Sequence, residues 1–79
     1  MDTLINLIKL NPMPKILDTE PNVNFLDRVS MNVAGYKIDF YINRSQNVKY
    51  VIIANEKITE NNGVLTSLYW SLLKKLMAN

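Results

Sequence analysis

The sequence predicts a small α+β protein in which a three-stranded antiparallel meander carries an N-terminal and a C-terminal helix on one face, in the order α-β-β-β-α. Apolar and polar residues alternate through much of residues 29–54. Two short turn-forming stretches divide this segment, and leucines recur three and four residues apart near the C-terminus. A period of two is typical of a half-buried strand, and the longer spacing is typical of an amphipathic helix. A sheet with one apolar face needs a cover, so both helices are expected on that face.

The first hairpin is specified by Ala34 and Gly35, which separate two alternating segments. A two-residue connection is the length of a tight hairpin turn, and glycine readily adopts the positive φ angle that such turns require. The connection predicts that Val33 pairs with Tyr36. A slip of one residue would send every apolar side chain to the wrong face. The apolar pairs that follow on one face are Val33–Tyr36, Met31–Ile38 and Val29–Phe40.

The second hairpin is predicted across the polar loop of residues 43–47. Pairing Ile42 with Val48 closes this loop. A regular ladder continued from that pair gives the further pairs Phe40–Tyr50 and Ile38–Ile52. The predicted strands are 28–33, 36–42 and 48–54. Their common apolar face comprises Val29, Met31, Val33, Tyr36, Ile38, Phe40, Ile42, Val48, Tyr50, Ile52 and Ala54.

The flanking segments are predicted to supply the two helices. Residues 4–10 form a short apolar stripe that ends before Pro12, because proline restricts the residue that precedes it. Residues 11–22 hold all three prolines and are predicted to be an irregular connection anchored by Ile16 and Leu17, with a short extended edge segment as the alternative. The C-terminal helix is predicted from the recurrence of Leu65, Leu68, Tyr69, Leu72, Leu73 and Leu76.

The composition argues against several functional classes. The chain has 79 residues, no cysteine, no histidine and a formal net charge of +2. Residues 1–79 are therefore expected to form a single domain without disulfides, in a reducing, cytoplasmic compartment. Without His or Cys the commonest general bases, nucleophiles and soft metal ligands are missing, and the only glycines, Gly35 and Gly63, form no phosphate loop. We therefore expect no catalytic, cofactor-binding or metal-binding residues and no enzymatic activity.

A protein-binding surface is the predicted site, on the sheet face opposite the helices. In a regular register, Val51 and Ile53 point to this otherwise polar face. Either residues 11–22 cover them, or the strand is apolar on both sides, or they form the apolar centre of a docking patch. Trp70 lies off the leucine stripe and either packs against the N-terminal helix or anchors a partner. The predicted partner-binding residues are Arg28, Lys37, Tyr41, Lys49, Val51, Ile53 and Trp70.

The order of elements resembles that of double-stranded RNA-binding domains over nearly the whole chain. That family contacts RNA through a lysine cluster at the start of its C-terminal helix and through a longer loop between its first two strands. The corresponding segments here are TENNG at residues 59–63 and the Ala34-Gly35 turn. Because the order of elements is similar, a nucleic-acid-binding domain is the alternative function. Phosphates and bases would then be contacted, as on single-strand platforms, by Lys37, Arg44, Lys49 and Tyr41.

The leading hypothesis is a non-enzymatic protein-binding module that acts as an inhibitor, an adaptor or a self-associating subunit. The small net charge does not favour a polyanionic partner. No segment approaches the roughly 20 apolar residues that a membrane span needs. The expected partner is another protein or a second copy of this chain, with no cofactor and no membrane. A short chain that begins at Met1 and is rich in Asn, Ile and Lys also suggests an accessory protein of a phage or virus.

Overall fold

The computed structural model describes residues 13–78, which form a five-stranded antiparallel sheet and one helix. The strands neighbour one another in the order in which they follow in the sequence, so the sheet is a meander. The elements are β1 (Lys15–Val23), β2 (Leu26–Val33), β3 (Tyr36–Ile42), β4 (Val48–Ile53), β5 (Glu56–Ile58) and α1 (Asn62–Met77). A small α+β fold with an antiparallel sheet is confirmed, but the sheet has five strands rather than three. The N-terminal helix predicted over residues 4–10 lies outside the described residues.

The β2–β3 hairpin has the predicted register. The ladder runs from the Val33–Tyr36 pair to the end of β3 without a shift. Ala34 and Gly35 have φ angles of 52° and 87°, which match a tight turn whose twist follows that of the strands. The Gly35 N–H donates to Oδ1 of Asn32 at 3.1 Å. Turn chemistry and the apolar pattern therefore specify the same register.

The β3–β4 register departs from the prediction after its first pair. Ile42 pairs with Val48 as predicted, but Tyr41 then pairs with Tyr50, so Lys49 is an extra residue in β4. This β-bulge shifts the rest of the strand by one residue and reverses which of its side chains face the core. The observed pairs are Phe40–Val51, Asp39–Ile52 and Ile38–Ile53, so the predicted pairs Phe40–Tyr50 and Ile38–Ile52 are wrong.

Because of the bulge, four β4 residues lie on the face of the sheet opposite to the predicted one. Val51 is fully buried and Ile53 packs against the core cluster, so their predicted placement on the outer face is wrong. Tyr50 and Ile52 lie instead on the outer face, where Tyr50 stacks on Tyr41. Their predicted placement in the core is wrong for the same reason. Both sides of β4 are therefore apolar. A regular ladder would exchange the residues that face the core with those that face outward.

The predicted irregular connection over residues 11–22 is largely a strand. β1 pairs antiparallel with β2, so the extended edge segment, which was the predicted alternative, is the correct one. Pro21 is tolerated because an edge strand has one side on which no ladder donor is needed. Register shifts follow Ile16 and Glu20. Ile16 and Leu17 are 38% and 46% exposed, so they are not the core anchors that the sequence predicts.

The polar stretch before the helix contains the last strand of the sheet. Ala54 and Asn55 have φ angles of 51° and 66° and form a two-residue turn after β4. β5 pairs with β4, and Ile58 packs against the core cluster. The helix begins only at Asn62, after Asn61 in the left-handed conformation.

The helix α1 covers the inner face of the sheet. Tyr69 packs against Phe40, with their ring centroids 5.2 Å apart. Lys74 and Lys75 lie in the last turn, where positive charge is favourable to the helix dipole. The core cluster comprises Met31, Val33, Ile38, Phe40, Ile42, Val48, Val51, Leu65, Leu68, Tyr69 and Leu72.

Two hydrogen bonds attach the first half of α1 to the β3–β4 loop. The Val48 N–H donates to the hydroxyl of Thr66 at 2.9 Å. The indole N–H of Trp70 donates to the carbonyl oxygen of Gln46 at 3.1 Å. Trp70 is 37% exposed, and its predicted contact with an N-terminal helix falls outside the described residues. Trp70 therefore ties a loop to the helix while leaving part of its ring at the surface.

Candidate functional site

The outer face of the sheet is the face opposite α1, and cross-strand pairing arranges its side chains in rows. One row comprises Glu20, Arg28, Tyr41 and Tyr50. The next row comprises Asp18, Ser30, Asp39, Ile52 and Lys57. Directly opposed side chains in an antiparallel sheet have Cβ atoms roughly 5 Å apart. The two rows therefore lie side by side, and we call them the outer-face patch. Ser30 and Tyr41 within this patch are buried, at 1% and 9% exposure.

Two stacked tyrosines form the centre of the outer-face patch. The ring centroids of Tyr41 and Tyr50 are 4.4 Å apart, with an angle of 17° between the ring planes. The Lys57 Nζ lies 4.3 Å from the centroid of the Tyr50 ring, which is a cation–π contact. Burial, and to a smaller extent the neighbouring Tyr41, raise the pKa of the Tyr50 hydroxyl. The Tyr50 hydroxyl is therefore neutral at physiological pH.

Arg28 links this aromatic centre to β1. Its Nη2 lies 2.7 Å from Oε2 of Glu20 and 3.1 Å from Oδ2 of Asp18. Burial acts to lower the pKa of the guanidinium, but the charge of Glu20 and a hydrogen bond with Tyr41 outweigh it and raise that pKa. Two carboxylates and one guanidinium leave the β1 side of the patch acidic. Lys57 makes the β5 side basic, so the patch has a charge gradient across its strands.

Asp39 is held by a hydrogen bond within the patch. The Ser30 hydroxyl donates to Oδ1 of Asp39. Ser30 is 1% exposed, and a buried hydroxyl needs such a partner because water cannot reach it. The neighbour of Asp39 on β4 is Ile52, which has no ionisable group. The Ser30–Asp39 hydrogen bond therefore stabilises the outer face of the sheet, and Ile52 is the apolar residue of this row.

The predicted partner-binding residues do not all lie together. Arg28, Lys37 and Tyr41 are on the outer face, as predicted. Val51 and Ile53 are turned toward the core by the bulge and cannot form the centre of a surface patch. The predicted patch is therefore corrected at its centre and retained at part of its rim.

The remaining two predicted residues, Lys49 and Trp70, lie outside the two rows of the outer-face patch. Lys49 is the bulge residue itself, and its side chain is exposed. Trp70 lies on α1, where it contacts the β3–β4 loop. Sequence reasoning missed Tyr50 and Ile52, which take the places assigned to Val51 and Ile53, and it missed Lys57 on β5. The only signal available for them was that β4 is apolar at both parities, which indicates that either set could face outward.

A pocket of about 340 Å³ lies between the β3–β4 loop and the start of α1. Its wall includes the side chains of Lys49 and Thr66. The Thr66 hydroxyl is already engaged, because it accepts from the Val48 N–H and donates to the Asn62 carbonyl oxygen. The pocket therefore contains groups that mainly hold the loop and the helix together.

Within residues 13–78, no three His, Cys, Asp or Glu side chains are grouped so that they could hold a metal ion. The same part of the chain has no helix with the length and apolar character needed to cross a membrane. Comparisons with protein families, curated proteins and solved structures find no match to this chain.

Proposed function

We propose that this chain is a small non-enzymatic module that binds another protein through its outer-face patch, as an inhibitor, an adaptor or a self-associating subunit. The observation that carries the proposal is the partly exposed pair Tyr50 and Ile52, with Tyr50 stacked on the buried Tyr41, on a sheet face opposite the only helix of residues 13–78. Aromatic side chains at the centre of a surface, with charged residues around them, are typical of protein interfaces.

The rim of the patch supports a protein partner more than a nucleic acid. Arg28 is engaged by Glu20 and Asp18, and Lys57 is engaged by the Tyr50 ring. Binding to nucleic acid depends on cations that neutralise phosphates and is strongly weakened by salt. The acidic β1 side would repel a phosphate backbone. The nucleic-acid alternative therefore depends on exposed cations outside the two rows, such as Lys37, Arg44 and Lys49.

The experiment compares Ile52→Lys with wild type in affinity capture from the organism that encodes the chain, followed by mass spectrometry and by binding measurements with the purified partner. Ile52→Lys puts a charge into the centre of the patch and should weaken binding by at least tenfold. The control is Tyr36→Ala, which removes a tyrosine that is 46% exposed on the opposite side of the sheet. It should leave binding unchanged.

Three results would count against the proposal. Equal affinity of Ile52→Lys and wild type would show that the outer-face patch is not the binding surface. Equal loss in Ile52→Lys and Tyr36→Ala would indicate a general effect on folding, which circular dichroism would detect. Binding to oligo(dT) that falls steeply between low and moderate salt would favour the nucleic-acid alternative. Sedimentation of the purified chain determines whether the partner is a second copy.

A further inference from the structure

The β1–β2 hairpin ends in a turn with an unusual residue. Asn24 and Phe25 connect the two strands, and both are left-handed, with φ angles of 52° and 67°. Phe25 is 89% exposed, more than any other large apolar side chain of residues 13–78. A bulky residue is rare in this conformation because its Cβ crowds the following carbonyl oxygen. The turn thus presents a phenyl ring to solvent from a strained backbone position.

The other two-residue turns of the sheet show what this position ordinarily takes. The second turn residue is Gly35 between β2 and β3, and Asn55 between β4 and β5. Glycine and asparagine are the residues that tolerate a positive φ angle at low cost. Phe25 occupies the equivalent position at a cost in stability, and its exposure leaves it little packing within the fold to offset that cost. Strained residues of this kind are concentrated at functional sites.

The base of the hairpin is held in one conformation by contacts between its strands. The Asn22 N–H donates to Oδ1 of Asp27 at 3.2 Å. Arg28 on β2 binds Asp18 and Glu20 on β1. A rigid turn that already presents an aromatic ring loses little conformational entropy on binding. The tip is therefore suited to insert one side chain into a pocket of a partner.

We propose that Phe25 anchors the chain in an apolar pocket of a protein partner and that basic side chains of the partner border this pocket. The charge near the tip identifies this class of partner. Asp18, Glu20 and Asp27 supply three carboxylates, against one guanidinium from Arg28. An acidic surface is attracted to a basic one and repelled by phosphates of nucleic acids and of anionic lipids. The inference rests on the proposed function only in that the partner is a protein. It assigns a second contact, centred on Phe25, whose charge comes partly from Asp18, Glu20 and Arg28 at the β1 end of the outer-face patch.

The first test uses the purified chain alone and the substitution Phe25→Asn. Asparagine tolerates the left-handed position, so relief of strain should raise Tm by about 4–8 °C. The matched control is Tyr36→Asn, an exposed aromatic residue next to another two-residue turn but without a positive φ angle. Tyr36→Asn should not raise Tm. A lower Tm for Phe25→Asn would show that the phenyl ring packs within the fold and would overturn the proposal.

The second test measures binding. A photoreactive benzoylphenylalanine at position 25 should crosslink to one protein, at a peptide that lines an apolar pocket bordered by Lys or Arg. Phe25→Asn should bind that purified protein at least tenfold more weakly than wild type, even though it is more stable. Unchanged affinity of Phe25→Asn, or no crosslinked protein, would overturn the proposal. Vesicles of phosphatidylcholine and phosphatidylglycerol and an oligo(dT) are the other probes, and binding to either that Phe25→Asn abolishes would also overturn it.

The two proposals fail in different ways. If Ile52→Lys loses affinity and Phe25→Asn keeps it, the outer-face patch is the binding surface and the assignment of Phe25 is wrong. If Phe25→Asn loses affinity and Ile52→Lys keeps it, the hairpin tip is the binding element and the outer-face patch is not. Loss in both variants supports one interface that includes both contacts.

Discussion

Among single residues, Tyr69 shows how burial alters the chemistry of a side chain. It is 6% exposed and packs against both Phe40 and Trp70. Burial, and then the charge of the nearby Asp27 carboxylate, raise the pKa of its hydroxyl. Both effects favour the neutral phenol in the folded state, whereas the unfolded chain exposes the same group to water. The folded protein therefore holds this proton more tightly than the unfolded chain does.

We predict that Tyr69→Phe makes the protein less sensitive to alkaline pH. Because the folded pKa is raised, the associated stability is complete below the ordinary tyrosine pKa of about 10 and is lost as the pH rises from there through the folded pKa. Phenylalanine cannot ionise. The unfolding free energy of the variant, compared with wild type, should therefore improve above about pH 10. Urea unfolding over this range measures the difference, and the comparison at neutral pH isolates the effect of removing the hydroxyl. A difference that does not change with pH would contradict the prediction.

A single residue also explains why the candidate site could be predicted only in part. The closing pair Ile42–Val48 follows from the length of the loop, but nothing in the sequence marks Lys49 as an extra residue in the strand. After Lys49 the strand is apolar at successive positions, so a regular and a bulged ladder both bury an apolar set. The choice between Val51 and Ile52 as the inward residue was therefore undetermined by the pattern. In the structure the inward residue is Val51, which belongs to the same core cluster as four residues of α1.

At the level of elements, the two glycines have opposite roles. Gly35 forms the β2–β3 turn with a φ angle of 87°. Gly63 lies in the first turn of α1, without a positive φ angle. A Cβ atom added at either position would meet no atom within 4 Å. Any difference between alanine substitutions at these sites therefore reports backbone conformation and not steric overlap.

We predict that Gly35→Ala destabilises the protein by about 1 kcal/mol or more, because alanine is strained at that φ angle. Gly63→Ala should stabilise it by roughly 0.5–1 kcal/mol, because alanine is the better helix former and loses less entropy on folding. Thermal unfolding of both variants and wild type under one set of conditions measures the two effects. Changes of the same sign would show that one of these elements has been assigned the wrong backbone conformation.

The elements that could be predicted are those with an apolar pattern and a defined boundary. α1 follows from its leucine spacing, and the β2–β3 hairpin follows from the Ala34-Gly35 turn. β1 was predicted only as the alternative to an irregular connection, because its residues are almost all exposed and therefore lack a period of two, and because Pro21 usually marks a loop. The turn after it was missed because Asn24-Phe25 lacks the glycine that identifies such turns. Phe25 is consequently not among the partner-binding residues that the sequence predicts.

At the level of the whole molecule, the fold depends on one small core. Domains have stabilities of about 0.05–0.15 kcal/mol per residue, which corresponds to roughly 4–12 kcal/mol for the 79 residues here. Val51 is at 0% exposure within the core cluster, and the adjacent Ile52 is half-buried on the other face of the same strand. A charged side chain at position 51 must enter the core, whereas a charged side chain at position 52 remains in contact with water. The two positions therefore test the register of the sheet and the stability of the domain together.

We predict that Val51→Lys unfolds the protein and that Ile52→Lys does not. A lysine at position 51 would bury an ammonium group without a partner and remove an apolar contact with α1, at a cost of several kcal/mol that is comparable to the total stability. A lysine at position 52 lies between Asp39 and Lys57 on the outer face, where one neighbour attracts it and the other repels it. Circular dichroism and the dispersion of amide signals in NMR spectra measure folding of both variants. The opposite result, with Val51→Lys folded and Ile52→Lys unfolded, would mean that β4 pairs in a regular ladder, and the outer-face patch would then be centred on Val51 and Ile53.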